Sequence, residues 1–423
     1  MHRLLQLTLA ALSLLSASAA DWPRFRGPNG DGSTAETGLP LKWDAGDIAW
    51  KTELPGPGSS SPIIVGGVMY LTCYSGYGSD VKEPGDMTRL RRHALCLNRA
   101  DGSILWNKEI QADGPDQAYT GEYITMHGYA SSTPVSDGVN VYFFFGPAGV
   151  HAYTLRGQEL WQANVGEKAH KWGNGASPLL YKNLLIVNAA LEGDNLVALD
   201  KTNGKVIWSV RGGLPASWNT PAIATIGGRD ELIVNSSGKL HAFDPATGQE
   251  LWTCRALRGA ELCPSVTVHE GVAYVIGLPG AGGAMAVRAG GSGDVSDTHV
   301  LWELKIGSNV SSPVYHEGHL YWANDSRGIF HCVRAETGEE VFATPLSRER
   351  RNRVFASPIL SEGRFYYVSR DQGTFVVAAR PEFELLAQSP PLDSSVVNAT
   401  PAVADGQFYL RSDRFVYCIG KRR

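Results

Sequence analysis

An all-β, eight-bladed β-propeller of four-stranded antiparallel blades is the fold this sequence predicts, and three observations predict it. A small hydroxyl or thiol residue followed by proline returns eight times: Ser61-Pro62, Thr133-Pro134, Ser177-Pro178, Thr220-Pro221, Cys263-Pro264, Ser312-Pro313, Ser357-Pro358 and Thr400-Pro401. After a longer first interval the prolines stand 44, 43, 43, 49, 45 and 43 residues apart, which is the spacing of propeller blades. Glycine recurs four residues ahead of a bulky aromatic, at Gly102 and Trp106, Gly157 and Trp161, Gly204 and Trp208, Gly248 and Trp252, and Gly338 and Phe342. Finally, 48 of 423 residues are glycine, Trp and Tyr are plentiful, and no long helical period is present.

Each repeat reads strand by strand. The proline opens a short apolar strand that ends in a turn pair such as Asp137-Gly138, Glu270-Gly271, Glu317-Gly318 or Asp405-Gly406. Most pairs end in glycine because a tight hairpin needs positive φ. A second apolar strand follows, then a third such as Leu196-Val197-Ala198-Leu199 or Phe330-His331-Cys332-Val333, then the turn that carries the glycine and the outer strand that carries the aromatic. Blade five lacks the glycine but still ends in Trp302. One blade cannot bury both faces of its sheet, so the aromatics are expected to wedge neighbouring blades together.

The eighth repeat stops after its third strand, at Cys418-Ile419, while Ile48-Ala49-Trp50 reads as the end of a repeat. Pairing the two would close the ring on an N-terminal strand near Trp50 and leave no exposed edge. One propeller over residues 48–420 is therefore expected, with an N-terminal extension over 21–47 and a basic tail over 421–423.

Residues 1–20 read as a signal peptide. Arg3 precedes an apolar run from Leu4 to Leu15, and Ala17-Ser18-Ala19-Ala20 offers small residues for cleavage. Export to the periplasm or the extracellular medium follows, and no later segment has the apolar length to span a bilayer. A formal net charge of −4 excludes the global basic bias of a nucleic-acid binder. Of the six cysteines, Cys96, Cys332 and Cys418 share a third-strand slot filled by Ala198 and Ala242 elsewhere, so they read as small core residues. Cys254 and Cys263 flank one inter-blade connection and either pair or stay reduced.

Connections before the first strand and after the second open on one face of such a disc, so residues just ahead of each proline are expected at its central mouth. They include Ser59, Ser60, Ser131, Ser132, Asn174, Trp218, Asn219, Glu261, Asn309, Ser311, Arg353 and Asn398, with His170 and Trp172 beside them. Trp218 breaks a small-residue pattern and reads either as a stacking platform or as channel packing. Glu261 and Asn309 are either oxygen ligands for calcium or solvated channel groups. The hydroxyls before proline are turn formers that satisfy backbone groups. Insertions over 74–92 and 107–130 reach the same face and form a polar, aromatic lid that carries Asp80, Lys82, Glu83, Asp86, Arg89, Tyr119, Glu122, Tyr123 and His127. Gly280-Ala281-Gly282-Gly283 and Gly290-Gly291-Ser292-Gly293 read as flexible blade-five loops, since neither opens a helix after a strand.

The repeat resembles the pyrroloquinoline-quinone-type (PQQ-like) propeller family, through Ala198-Leu199-Asp200 and the Thr-Gly-x-x-x-Trp run from Thr247 to Trp252. The segment Asp21-Trp22-Pro23-Arg24-Phe25-Arg26-Gly27-Pro28-Asn29-Gly30-Asp31-Gly32 is similar to the opening of exported bacterial members. That resemblance implies one of two functions. One group of members is quinoprotein dehydrogenases that hold PQQ and calcium on the axis and oxidise alcohols or sugars. Another is non-catalytic propellers, including the lipoprotein subunit of the outer-membrane β-barrel assembly machinery. Typical dehydrogenases of the family place adjacent cysteines against the quinone, and this chain has no Cys-Cys pair and no Cys-x-x-Cys-His haem motif. The sequence therefore favours a monomeric, non-catalytic scaffold that presents its loop-bearing face to a protein, peptide or glycan. A PQQ- and calcium-dependent dehydrogenase, with Trp218 as platform and Glu261 and Asn309 near calcium, is the alternative.

Overall fold

The structure, a computed structural model, describes residues 21–111, 116–121, 124–258, 262–280, 282–349 and 352–421. The expected signal peptide and Glu122, Tyr123 and Glu261 lie outside the described residues. Eight antiparallel sheets follow one another, each with its strands in chain order. Blade one runs Ile63–Val65, Val68–Ser75, Arg91–Asn98 and Ile104–Ile110 from the axis outward. Blade eight takes its outer strand from the other end of the chain: Ile48–Glu53 pairs antiparallel with Phe415–Ile419, Trp50 opposite Cys418 and Thr52 opposite Val416. The ring closes as the truncated eighth repeat requires. No helix among the described residues is long and apolar enough to cross a bilayer.

The glycine-to-aromatic spacing has a direct packing cause. In blades one, two, three, five and eight the tryptophan lies against the glycine of the next blade: a Cβ on Gly157 would stand 2.9 Å from Trp106 Cγ, one on Gly248 2.7 Å from Trp208 Cε3, and one on Gly338 2.9 Å from Trp302 Cδ2. These glycines also sit at φ of +82°, +73° and +75°, so they meet two demands that side-chain-bearing residues fail. The indole N–H then donates to a carbonyl of that next blade, Trp161 Nε1 to Lys201 O at 3.0 Å and Trp302 Nε1 to Ala335 O at 2.9 Å. Trp252 departs from the rule, and its Nε1 donates to the buried Glu231 carboxylate at 2.7 Å.

The first hairpins are tighter than the glycine pattern alone implies. Lys182, Glu270, Glu317, Glu362 and Asp405, the first members of their turn pairs, also adopt positive φ, between 44° and 52°. In the four pairs that end in glycine, both residues are left-handed, which makes the type I′ turn that matches strand twist. The blade-five loop Gly290–Gly293 is ordered: Gly293–Asp294 adds a fifth, parallel strand to the outer strand of blade four, Glu250–Arg255. That strand covers an edge otherwise open to pairing.

All six cysteines are unbridged. Cys254 lies on the outer strand of blade four, whereas Cys263 lines the axis, so the chain places the proposed pair at opposite radial edges of the disc.

The residues before proline bind blade to blade. Ser61 N donates to Thr133 Oγ1 at 3.0 Å, Thr133 N to Ser177 Oγ at 3.0 Å, and Ser177 N to Thr220 Oγ1 at 3.0 Å. On the far side Ser312 N donates to Ser357 Oγ at 3.1 Å and Ser357 N to Thr400 Oγ1 at 2.9 Å. These hydroxyls satisfy the neighbouring blade's backbone rather than their own turn. Thr133→Val, which keeps the shape and removes the acceptor, should strand the buried Ser61 N–H and cost about 1–3 kcal/mol in urea unfolding. An unchanged midpoint would refute the belt's contribution.

Residues 21–47 do more than extend the chain. Trp22 and Ile64 exchange backbone hydrogen bonds at 2.9 Å, Pro23 O accepts from Ser136 N at 2.9 Å, and Thr34 N donates to Leu360 O at 3.0 Å. The segment thus crosses from blades one and two to blade seven at the end of the axis opposite the lid. Arg26 is fully buried there, its guanidinium donating to Asp31 O at 2.8 Å, to Thr267 Oγ1 at 3.4 Å and to Pro313 O. Burial lowers its pKa to about 10.

Candidate functional site

The axis of the disc holds a cavity of about 240 Å³, floored by Phe25. Which side chains reach it follows from counting backward from each proline. The extended chain there alternates its side chains with a period of two. Positions one and three before proline face the cavity, as in Ser61 and Ser59, Thr133 and Ser131, Thr220 and Trp218, and Thr400 and Asn398. Residues two before proline turn away between blades and are buried: Ser60, Ser132, Asn219 and Ser311 are each at most 1% exposed.

That alternation places Trp218 and Asn398, each three before its proline, on the wall; Asn309, four before Pro313, and His127 and Trp172 also line the cavity, outside the pattern. Trp218 Nε1 donates to Gly173 O at 2.9 Å, and His170 stands behind it, edge-on at 4.9 Å between ring centroids, off the cavity wall. Asn219 points away and ties Ser217 Oγ, at 2.6 Å, and Asn235 O. Asn174 is buried off the wall with its Nδ2 on Ser132 Oγ at 2.8 Å. Arg353 is exposed at the rim, 4.0 Å from Met126 Sδ.

Sequence reasoning missed Asp325, Met126, Phe25 and Phe355 on the wall. Val310 and Phe355 fall three before their prolines, so counting in twos would have found them. Asp325 follows the second strand of blade six, on the same face, and its Oδ1 accepts from Asn309 N at 2.8 Å.

The two insertions form the lid. Tyr74, Tyr77, Leu90, Tyr119, Ile124 and Tyr129 make a separate apolar cluster, and the buried Arg92 clamps Asp116 through bonds of 2.6 and 2.9 Å. Met126, just past this cluster, reaches across the mouth. Its carbonyl accepts from Arg370 Nη2 at 3.2 Å and Asn398 Nδ2 at 3.1 Å, which joins an insertion of blade one to blades seven and eight. His127 beside it is held by Ser131 Oγ at 2.6 Å, and burial drives its pKa down to about 4, so it is neutral at physiological pH.

The described residues of the wall do not fit PQQ with calcium. Asp325 is the one carboxylate among the described residues on the wall, and the described residues contain no cluster of three or more His, Cys, Asp or Glu that could hold a metal. Calcium takes six to eight oxygen ligands, carboxylates prominent among them. No Lys or Arg stands on the described wall to receive a tricarboxylate. Arg370 is turned to the lid carbonyl and stacks over Phe355 at 4.5 Å.

A family model described as outer membrane protein assembly factor BamB matches residues 33–171, 91–344 and 293–416, nearly the whole propeller. The tetrathionate hydrolase of Acidithiobacillus ferrooxidans is 24% identical over 334 residues, which cover 70% of this chain and 60% of that protein, so the chain spans less than two thirds of that relative. Among solved structures, BamB from Moraxella catarrhalis superposes with a TM-score of 0.56 at 14% identity, covering 88% of this chain and 98% of that one. Quinohemoprotein alcohol dehydrogenase from Comamonas testosteroni gives 0.61 at 14% identity, covering 96% and 81%. Identities this low establish a shared fold.

Proposed function

On the premise that this chain belongs to the family of the outer membrane protein assembly factor BamB, we propose that it is an exported, monomeric binding scaffold that engages a protein partner on its lid-bearing face. The observation that carries this reading is the lid, which has its own apolar cluster and buried ion pair and so holds a polar edge in place before any partner arrives. Residues 79–83 on that edge are exposed, Val81 to 56%. Pre-ordered loops on a rigid ring reduce the entropy lost on association. The misfit of the described axial residues to PQQ and calcium argues against the dehydrogenase alternative.

The test is site-specific photo-crosslinking in the exporting cell. A crosslinker at Val81 should yield a discrete adduct, and one at Ile207, exposed on the perimeter, should not. Arg92→Met, which removes the clamp on Asp116, should abolish the Val81 adduct while the propeller stays folded. Equal adducts at both positions, or none at either, would remove the lid from the account.

A further inference from the structure

We propose that the axial cavity is a binding site for one neutral, polyhydroxylated ring of monosaccharide size. The inference is independent of the partner assigned to the lid.

Its first support is the hydroxyl belt. A serine or threonine hydroxyl carries one proton and two lone pairs. In the belt each of Thr133, Ser177, Thr220, Ser312, Ser357 and Thr400 spends a lone pair on a backbone N–H of the preceding blade. None of the six donates its proton to any acceptor among the described residues, and all six line the cavity. The axis therefore presents a ring of O–H donors with no acceptor for them among the described residues.

An acceptor faces the same space. Asn309 and Asn398 are residues of the wall, but their side-chain oxygens are sealed within it without a hydrogen-bond partner, so neither is open to a ligand. Asp325 commits Oδ1 to Asn309 N and Ser308 Oγ, with no partner on Oδ2 among the described residues. A ligand here must both accept and donate hydrogen bonds, as alcohol groups do.

The apolar part of the wall narrows the class. Trp218 has its N–H engaged by Gly173 O, and one side is packed by His170, so what it offers the cavity is aromatic surface. Trp172 and Phe25 add to it. Electron-rich ring faces attract the positively polarised C–H face of a sugar ring. Charge narrows it further: an anion would meet Asp325 with no cation on the described wall, and an organic cation would leave the belt's donors unanswered. Volume sets the length, because about 240 Å³ lies below the roughly 300–1,000 Å³ of sites for drug-sized molecules. The space inside the mouth holds one ring.

The experiment is calorimetric titration of the full exported chain with D-glucose, D-galactose and D-mannose, with choline and sulfate as charged comparators. Saturable binding of at least one sugar is expected, with Kd of about 0.1–10 mM and neither comparator binding. Val310→Phe fills the cavity without touching a polar group and should abolish sugar binding with the unfolding transition intact. Asp325→Asn should weaken it about tenfold. The proposal is overturned if no sugar saturates up to about 100 mM, if choline or sulfate binds instead, or if sugar binding survives Val310→Phe.

Discussion

Glu192→Gln should be more stable than the parent protein above about pH 8 and indistinguishable from it below about pH 4.5. Glu192 belongs to the short turn Ala190–Gly193 and is 2% exposed. Its Oε1 points at Gly146 next to Asn174, its Oε2 has no partner, and no cation lies within ion-pair distance among the described residues. Burial drives its pKa from 4.5 up to about 8. A carboxyl raised in the folded state favours the protonated form, so its contribution is fully present below the unfolded pKa. That contribution is lost as pH rises through the folded one. The change from 4.5 to about 8 corresponds to a few kcal/mol, large against a total stability of about 5–15 kcal/mol. Glutamine keeps the shape and never ionises. Urea midpoints of both proteins across this range should diverge progressively with pH, and parallel curves would show that Glu192 is solvated in the native state.

How far the sequence was legible depended on repetition. The proline spacing, the hairpin glycines and the Gly-x-x-x-Trp pairs each recur, so eight weak local signals agree and the ring and its closing strand follow. Residues 21–47 occur once. No period betrays that Trp22 pairs with Ile64 or that Arg26 plugs the axis, because those contacts are long-range and their partners are unremarkable inner-strand residues. At the mouth, Trp218 and Asn398 reach the wall while Asn219 turns away for one reason: an extended chain sends alternate residues to opposite sides, so a stretch ahead of a proline does not face the axis as a block. Asp325 was beyond that logic altogether. It comes from the connection after the second strand, where sequence gives the face but not the reach.

Trp50→Ala should cost about 3–5 kcal/mol and, unlike the same change at Trp161, should release the N-terminal strand. The two tryptophans occupy equivalent places. Each is under a tenth exposed, lies on the glycine of the next blade, Gly102 or Gly204, and donates its indole N–H to a carbonyl there, Arg99 O at 2.9 Å or Lys201 O at 3.0 Å. The lost packing is therefore alike, and the difference is covalent. Trp161 sits on Glu159–Ala163, joined by one turn to the strand it pairs with, so the blade stays whole when its wedge is removed. Trp50 sits on Ile48–Glu53, whose sheet partner Phe415–Ile419 is at the far end of the chain. Non-covalent contacts alone keep that strand in place: five paired positions, side-chain packing, and bonds such as Thr52 Oγ1 to Gly102 O at 2.7 Å and the Arg414–Glu53 ion pair at 3.4 Å. Its loss would leave blade eight with three strands and an unpaired edge, a template for association with other chains. Limited proteolysis under native conditions should cut Trp50→Ala within residues 44–57 and leave Trp161→Ala intact there, with the first variant also aggregating at lower denaturant. Equal protection of the two would mean that the seam is held by the floor segment, residues 21–38, rather than by the wedge at Trp50.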